Sequence, residues 1–417
     1  MEIIGIITLF ITGFYFTIKL KGIHFNPKLI FKSLITKETD EGVSPFQTLC
    51  ISLASRIGVG SLSGVILALY VGGIGSVFWI WMATLICSSN TLSESILSIK
   101  YRKKLKNNIY EGGPFYYISM GLKKKWLAIL YALIFLFAYI LGFLTIQSNT
   151  ISKIVVEVIP INPIIIGIII VIMTSLIIFK GVKEIASVVS KLVPFMAILY
   201  ISTCLFIIFK NIEQVGNIIQ MIIKSALNIK SFLSGFIIGC TKSIFSTEAG
   251  LGTGAIASSA SSSTNEVEQG LVQVFGIYFD TFIVSTLTIF VVLLSPYRTL
   301  NFGNINGIEI TKYAFSYHLG QMGSLILIIS IILFAFSTII GGYYYGEIAL
   351  KFITKKQKTT IFKIIVLILL LISTIISPTI IWNLIDKSII LLAIINTISL
   401  MLLRKEIFNI VKKYGKI

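Results

Sequence analysis

Charge is scarce in this chain, and histidine scarcer still. Only 12% of the 417 residues are Asp, Glu, Lys or Arg, about half the share of a soluble domain. No long polar segment stands apart that could fold in water, so 1–417 reads as a single membrane domain. With just His24 and His318 present, a histidine-built metal centre lacks ligands. The four cysteines (Cys50, Cys87, Cys204, Cys240) lie in apolar stretches without C-x-x-C spacing, which marks small core residues rather than a disulfide or metal framework. The chain has no G-x-x-x-x-G-K-[ST] phosphate cradle, which excludes a built-in ATP-driven pump. It has no G-x-S-x-G elbow either, and no enzyme chemistry is legible. Acidic residues number 17 against 35 basic, a net charge of +18. In a soluble protein such an excess would suggest nucleic acid; here the basic residues sit in short loops between apolar runs, so membrane topology accounts for them and no nucleic-acid partner is expected.

What is abundant is apolar sequence, 56% of the chain, in runs of about 20 residues, the length that crosses a bilayer. Eleven candidate spans follow, at 2–20, 45–70, 74–100, 126–157, 162–179, 186–209, 231–257, 268–295, 322–350, 361–377 and 381–403. The first has no basic n-region, only Glu2 preceding it, and no small-residue cleavage site after it, so it is expected to stay as a span. Alternate loops are rich in Lys and Arg: Lys19 to Lys37, Arg102 to Lys104 with Lys123 to Lys125, Lys180 and Lys183, Lys351 to Lys358, and Arg404 to Lys416. The intervening loops hold few. By the positive-inside rule the N-terminus lies outside and the C-terminus in the cytoplasm, which requires an odd number of spans.

The second span is interrupted by Gly58-Val59-Gly60-Ser61 and the seventh by Gly250-Leu251-Gly252-Thr253. Both read G-x-G-[ST], and they occupy matching places in two five-span halves. Five is odd, so the halves face opposite ways, the pattern of secondary transporters built from inverted repeats. Helix packing by glycine is the plainer reading of either motif alone. A broken helix frees backbone N–H and C=O groups at mid-membrane, where each costs several kcal/mol unless satisfied. The positive end of a half-helix suits a carboxylate, and freed carbonyls suit a cation or an ammonium. A channel would need a continuous filter or charged rings instead.

The chain resembles the alanine or glycine:cation symporter family along most of its length. Ala54-Ser55-Arg56-Ile57-Gly58-Val59-Gly60-Ser61 is similar to a family A-x-R-V-G-T-G-N. Gly72-Gly73-Ile74-Gly75-Ser76-Val77-Phe78-Trp79-Ile80-Trp81 is similar to G-G-P-G-A-x-F-W-M-W, and Phe245 to Gly252 to F-S-N-E-A-G-L-G. Ser44 to Gln47, Gly113 to Ile118, Gln147-Ser148-Asn149, Gln269 to Leu271, Asp280-Thr281 and Tyr344 to Glu347 complete the resemblance. It implies an all-α polytopic membrane protein with a LeuT-like 5+5 inverted repeat and one extra N-terminal transmembrane helix. In that layout 1–43 is the extra span and its loop, 44–210 the first repeat, 231–403 the second and 404–417 a cytoplasmic tail. It also implies Na⁺-driven uptake of a small neutral amino acid, alanine or glycine, across a bacterial or archaeal cytoplasmic membrane. Ser61 and Thr247 stand where the family usually has Asn, Thr253-Gly254-Ala255 where it often has S-A-P, and Ser258 where His is frequent; these departures bear on substrate and ion.

Gly58, Gly60 and Ser61 are the candidates for substrate contact at the first break, faced by Ser246, Thr247, Gly250 and Gly252 at the second. Gln147 and Asn149 line the cavity or bridge helices. Ser337 and Thr338, with the Ile57 and Gly60 carbonyls, form the candidate Na⁺ site; bonding to their own helix is the plainer role for such hydroxyls. Arg56, Glu94, Lys242, Glu248 and Asp280 are intramembrane charges, functional candidates by default. Glu248 and Asp280 would serve a proton-coupled carrier, the alternative to Na⁺ coupling. Tyr343 to Tyr345 read as an interfacial belt.

Overall fold

The computed structural model describes residues 2–35, 42–105, 109–297, 307–356, 359–376 and 379–415. Of the loop bases, Lys37, Arg298, Lys358 and Lys416 fall outside that set. The helices are α1 (Glu2–Lys19), α2 (Pro27–Leu34), α3 (Pro45–Arg56), α4 (Val65–Gly72), α5 (Gly75–Tyr101), α6 (Pro114–Met120), α7 (Lys125–Leu136), α8 (Leu144–Val158), α9 (Pro163–Ile178) and α10 (Val182–Lys210). They continue as α11 (Ile212–Ala226), α12 (Ile229–Thr247), α13 (Thr253–Ser259), α14 (Glu266–Tyr278), α15 (Thr286–Leu293), α16 (Gly307–Thr354, two helical pieces joined across a kink at Gly320), α17 (Thr360–Ser373), α18 (Thr379–Leu402) and α19 (Arg404–Tyr414). A short hairpin pairs β1 (Lys103–Lys104) with β2 (Tyr110–Glu111).

Each apolar run of the sequence falls on a helix or a broken pair. Four helical stretches are long and apolar enough to cross a bilayer: Lys125–Val158, Val182–Lys210, Glu266–Leu293 and Gly307–Thr354. Two bent pairs add to these, Pro45–Arg56 with Gly60–Gly72 and Lys387–Leu402 with Arg404–Tyr414. Shorter apolar helices lie at Ile3–Lys19, Pro163–Ile178, Phe232–Thr247 and Thr360–Ser373. The 27-residue α5 is long enough but too polar for the same criterion. Its buried stretch from Ser88 to Ser98 carries serines, Asn90, Thr91 and Glu94. Along α9, by contrast, Ile164, Ile165, Ile168, Ile169, Ile172, Met173 and Leu176 are exposed, as an apolar helix facing lipid requires.

Local sequence sets the breaks. Ser44 caps α3 in a full capping box with Gln47, and Pro45 occupies the first turn, a strong start signal. The helix stops at Arg56 because Ile57 leaves helical geometry (ψ 80°) and the Gly58 amide turns back to the Arg56 carbonyl at 2.9 Å. A π-helical turn, Gly60–Gly64, then leads into α4, with a bend of 53° from α3. The second break has a different device. Glu248, Gly250 and Gly252 all take positive φ (54°, 76° and 81°) between α12 and α13.

Helices far apart in sequence pack together. The first-half helix α5 packs on α12, α13 and α14, and the second-half helix α16 packs on α3, α8 and α10. Tyr343, Tyr344 and Tyr345 are buried in the C-terminal part of α16 rather than exposed as an interfacial belt. They lie where α16 meets other helices, so their rings fill core instead of reaching headgroups. All four cysteines are buried and free.

Candidate functional site

At the first break the backbone leaves an acceptor behind. The Ala54 carbonyl would normally receive the Gly58 amide, but that amide has turned to Arg56. Ser337 Oγ and Thr338 Oγ1 of α16 donate to the Ala54 carbonyl instead, at 3.3 and 3.0 Å, while both also reach the Phe334 carbonyl of their own helix. The hydroxyl pair therefore does reach the first broken helix. Its carbonyl partner is Ala54, and among the described residues no hydrogen bond joins the pair to the Ile57 or Gly60 carbonyl. Gly60 faces the other way: a Cβ there would stand 3.1 Å from the Phe245 ring. Gly58 is where α16 and α8 close in, since a Cβ would lie 2.5 Å from Thr338 Oγ1 and 3.3 Å from Gln147 Nε2.

A second oxygen cluster joins the two breaks. Ser61 Oγ donates to Asp280 Oδ1 at 2.6 Å and Ser246 Oγ to Asp280 Oδ2 at 2.9 Å, and the two hydroxyl oxygens lie 3.1 Å apart. The Arg56 carbonyl is 3.1 Å from Ser61 Oγ. Asp280 sits on a π-helical segment, Phe279–Ser285, between α14 and α15, and is fully buried. Each hydroxyl has one proton, so Ser61 cannot donate both to Asp280 and to the Arg56 carbonyl. The set holds more lone pairs than protons and one formal negative charge. A hard cation takes oxygen ligands of this kind.

The second break closes on itself. Asn396 Nδ2 of α18 donates to the Gly250 carbonyl at 2.9 Å, Tyr131 of α7 donates to the Leu251 carbonyl at 2.6 Å, and the Gly252 amide donates to Glu94 Oε2 of α5 at 3.0 Å. Asn396 Nδ2 also reaches Glu94 Oε2, and Tyr117 donates to Asn396 Oδ1. Gly250 and Gly252 thus face away from the first break. A Cβ on Gly250 would strike Leu9, and one on Gly252 would strike Pro114 and Tyr131. Their role is conformational, because positive φ admits glycine without penalty. Thr247 spends its hydroxyl on the Ser243 carbonyl of its own helix and accepts from the Ala249 amide. Of the four residues expected to face the first break, only Ser246 makes a hydrogen bond to it.

Gln147 and Asn149 part company as well. The Gln147 amide stands beside Gly58, its Oε1 buried without a partner. Asn149 donates to the Ser373 and Ile376 carbonyls at 2.8 and 3.1 Å and so ties α8 to the end of α17. Phe143 and Phe245 stack at 5.1 Å with planes 15° apart, the edge of Phe245 against Gly60. Arg56, Glu94 and Glu248 are buried near the breaks. Arg56 Nη1 donates to the Gln273 carbonyl and Ser55 donates to Glu248, and among the described residues no ion pair joins these charges within 4 Å. Lys242 is half-buried, its ammonium 5.8 Å over the Phe245 ring, rather than enclosed with the acids.

Sequence reasoning missed the Ala54 carbonyl, Asn396, Tyr117 and Tyr131, and named Asp280 without its partners. An isolated alanine or tyrosine in an apolar run carries no local signal of such a role.

The chain is 34% identical to the probable sodium/glutamine symporter GlnT of Bacillus subtilis, over 99% of this chain and 87% of that protein. It is 34% identical to the amino-acid carrier protein AlsT of the same organism, over 97% and 88%. Its fold matches the crystal structure of a manganese transporter from Eremococcus coleocola with a TM-score of 0.57 at 11% identity, over 88% of this chain and 79% of that one, a likeness of architecture alone. The profile of the family described as the sodium:alanine symporter family spans residues 1–417, and this chain, an integral membrane carrier and not an enzyme, belongs to that family.

Proposed function

We propose that this amino-acid:cation symporter couples inward Na⁺ movement to uptake of a small neutral amino acid, alanine or glycine, by alternating access. The observation that carries the reading is the Ser61–Ser246–Asp280 cluster. It places a buried carboxylate and two hydroxyls, one from each broken helix, around one point beside the Arg56 carbonyl. Ser61, Ser246, Asp280 and the Arg56 carbonyl would hold one Na⁺. Ser337, Thr338 and the Ala54 carbonyl would hold another between α3 and α16. A cation at either place supplies the charge that offsets freed carbonyls and a buried acid.

The substrate carboxylate would take the amides at the start of the Gly60–Gly64 turn, which lack partners within their own helix as at any helix N-terminus. Gly58 and Gly60 lie in close contact with Thr338, Gln147 and Phe245, which favours a small substrate. The Phe143–Phe245 stack would cover it. The eleven apolar passages, with 44–210 and 231–403 as inverted repeats in a LeuT-like frame, and an external N-terminus with a cytoplasmic C-terminus, belong to the same proposal.

A second reading concerns the substrate. The unpartnered Gln147 Oε1 would accept a hydrogen bond from a side-chain amide, and one relative is named a probable sodium/glutamine symporter. Uptake of radiolabelled alanine and glutamine into proteoliposomes, with an inward Na⁺ gradient or with choline replacing Na⁺ at fixed pH, separates the readings. We expect alanine uptake that requires Na⁺. Uptake driven by a proton gradient without Na⁺ would refute the coupling ion, and uptake of glutamine alone would refute the substrate.

A further inference from the structure

Arg102 follows the last residue of α5 and lies outside the site described above. Its guanidinium rests on the Tyr110 ring of β2, 4.0 Å from the centroid. Nη1 donates to the Ser259 and Ser261 carbonyls and Nη2 to the Ser263 carbonyl, the last at 2.8 Å. Those carbonyls are the end of α13 and the loop beyond it, where a helix leaves acceptors unsatisfied and its dipole is negative. The planar guanidinium spans several acceptors at once, which an ammonium does not.

The loop that Arg102 pins is the one that holds α3. Val43 forms a parallel bridge with Ser261, and the Ser262 amide donates to the Val43 carbonyl at 2.8 Å. Ser44, the next residue, caps α3. One turn further, Thr48 Oγ1 lies 3.2 Å from Gln269 Oε1 at the start of α14. At its other end α3 is separated from α4 by the bent segment around Gly58. The helix therefore ends in a bend at the candidate site, and its outer tip is bonded to residues 259–263.

We propose that Arg102 is a positioning residue that clasps the cytoplasmic closure: by gripping the 259–263 carbonyls it keeps the start of α3 docked, and its release frees α3 to swing and open the site to the cytoplasm. The clasp rests on the alternating-access reading and on the cytoplasmic placement of the α5 C-terminus. Its acceptors are neutral carbonyls, so the grip is a set of charge-assisted hydrogen bonds without a buried ion pair to separate, suited to repeated opening.

The chain carries its own reporter. Cys50 lies on α3 and is 1% exposed, while Cys87, Cys204 and Cys240 are buried on other helices. The full chain would be reconstituted in vesicles of known orientation and treated with a membrane-impermeant maleimide, with labelling of each cysteine read by mass spectrometry. In Arg102→Ala we expect Cys50 labelling from the cytoplasmic side to rise roughly tenfold, as loss of charged hydrogen bonds from a closed state implies, with the other three protected. Cys50 as protected as in the parent chain would overturn the clasp. Labelling of all four would mean that this variant does not hold its fold; Arg102→Lys then decides, a selective gain at Cys50 supporting the clasp and none overturning it. A selective gain from the opposite side would keep Arg102 as the latch and overturn the orientation.

Discussion

Asp280 is the residue on which most of the site converges. It is fully buried, it receives hydroxyls from both broken helices, and the two hydroxyl oxygens lie 3.1 Å apart. Replacing it with Asn keeps the shape and removes the charge. We expect Asp280→Asn to weaken Na⁺ at least about tenfold, a change of ~1.4 kcal/mol, in a titration of alanine uptake against Na⁺; an unaltered Na⁺ dependence would remove Asp280 from the cation site. Thr338 bears on the other cluster. Thr338→Val deletes the hydroxyl that reaches the Ala54 carbonyl at 3.0 Å and nearly keeps the volume. It should raise the Na⁺ concentration for half-maximal uptake while the protein stays folded, since a neutral hydrogen bond is worth only about 1 kcal/mol of stability. Uptake with the parent's Na⁺ requirement would count against a cation there.

Among the elements, the two breaks look alike in sequence and differ in use. The first gives its Ala54 carbonyl to Ser337 and Thr338 and brings Ser61 to Ser246 and Asp280. The second has its Gly250 and Leu251 carbonyls and its Gly252 amide taken by Asn396, Tyr131 and Glu94. Satisfying them matters because an unpaired buried polar group costs about 1–3 kcal/mol. Gly252 has a second constraint: φ is 81°, and a Cβ would lie 2.0 Å from Pro114 Cγ. Gly64 offers the control, with helical φ and nothing within 4 Å of a Cβ. Gly252→Ala should lower the melting temperature in detergent, the left-handed backbone alone costing ~1–2 kcal/mol, while Gly64→Ala should leave it near the parent value. Equal melting temperatures would mean that the second break is not held as described.

Over the whole molecule, the proposed alternating access requires that one site open to two sides in turn. The orientation is open to direct test through α19, whose Lys412 is exposed beside Lys413 at the end of the chain. A Lys412→Cys variant should react with an impermeant maleimide only from the cytoplasmic face, and reaction from outside would invert the topology. The bases at that face include Arg102, which contacts carbonyls at the end of α13 and in the loop beyond it, and Lys100 of α5 itself, which pairs with Glu406 of α19. Positive charge at this face thus takes part in tertiary contacts as well as in topology.

The sequence by itself determined the membrane class, the apolar runs and the position of both breaks. These are local properties: hydropathy over one span, and glycines at 58, 60, 250 and 252. It also marked Ser337 and Thr338, because adjacent hydroxyls in an apolar helix stand out. Tertiary structure alone decided which groups meet. Ser61 and Asp280 are 219 residues apart, and Thr338 and Ala54 are 284 apart. It turned Gly250 and Gly252 toward α5, α7 and α18, gave Asn149 to α17, and buried Tyr343 to Tyr345. A carbonyl becomes a ligand only when the local path frees it and a neighbouring helix reaches it. The first condition is written in the glycines; the second depends on how the helices cross.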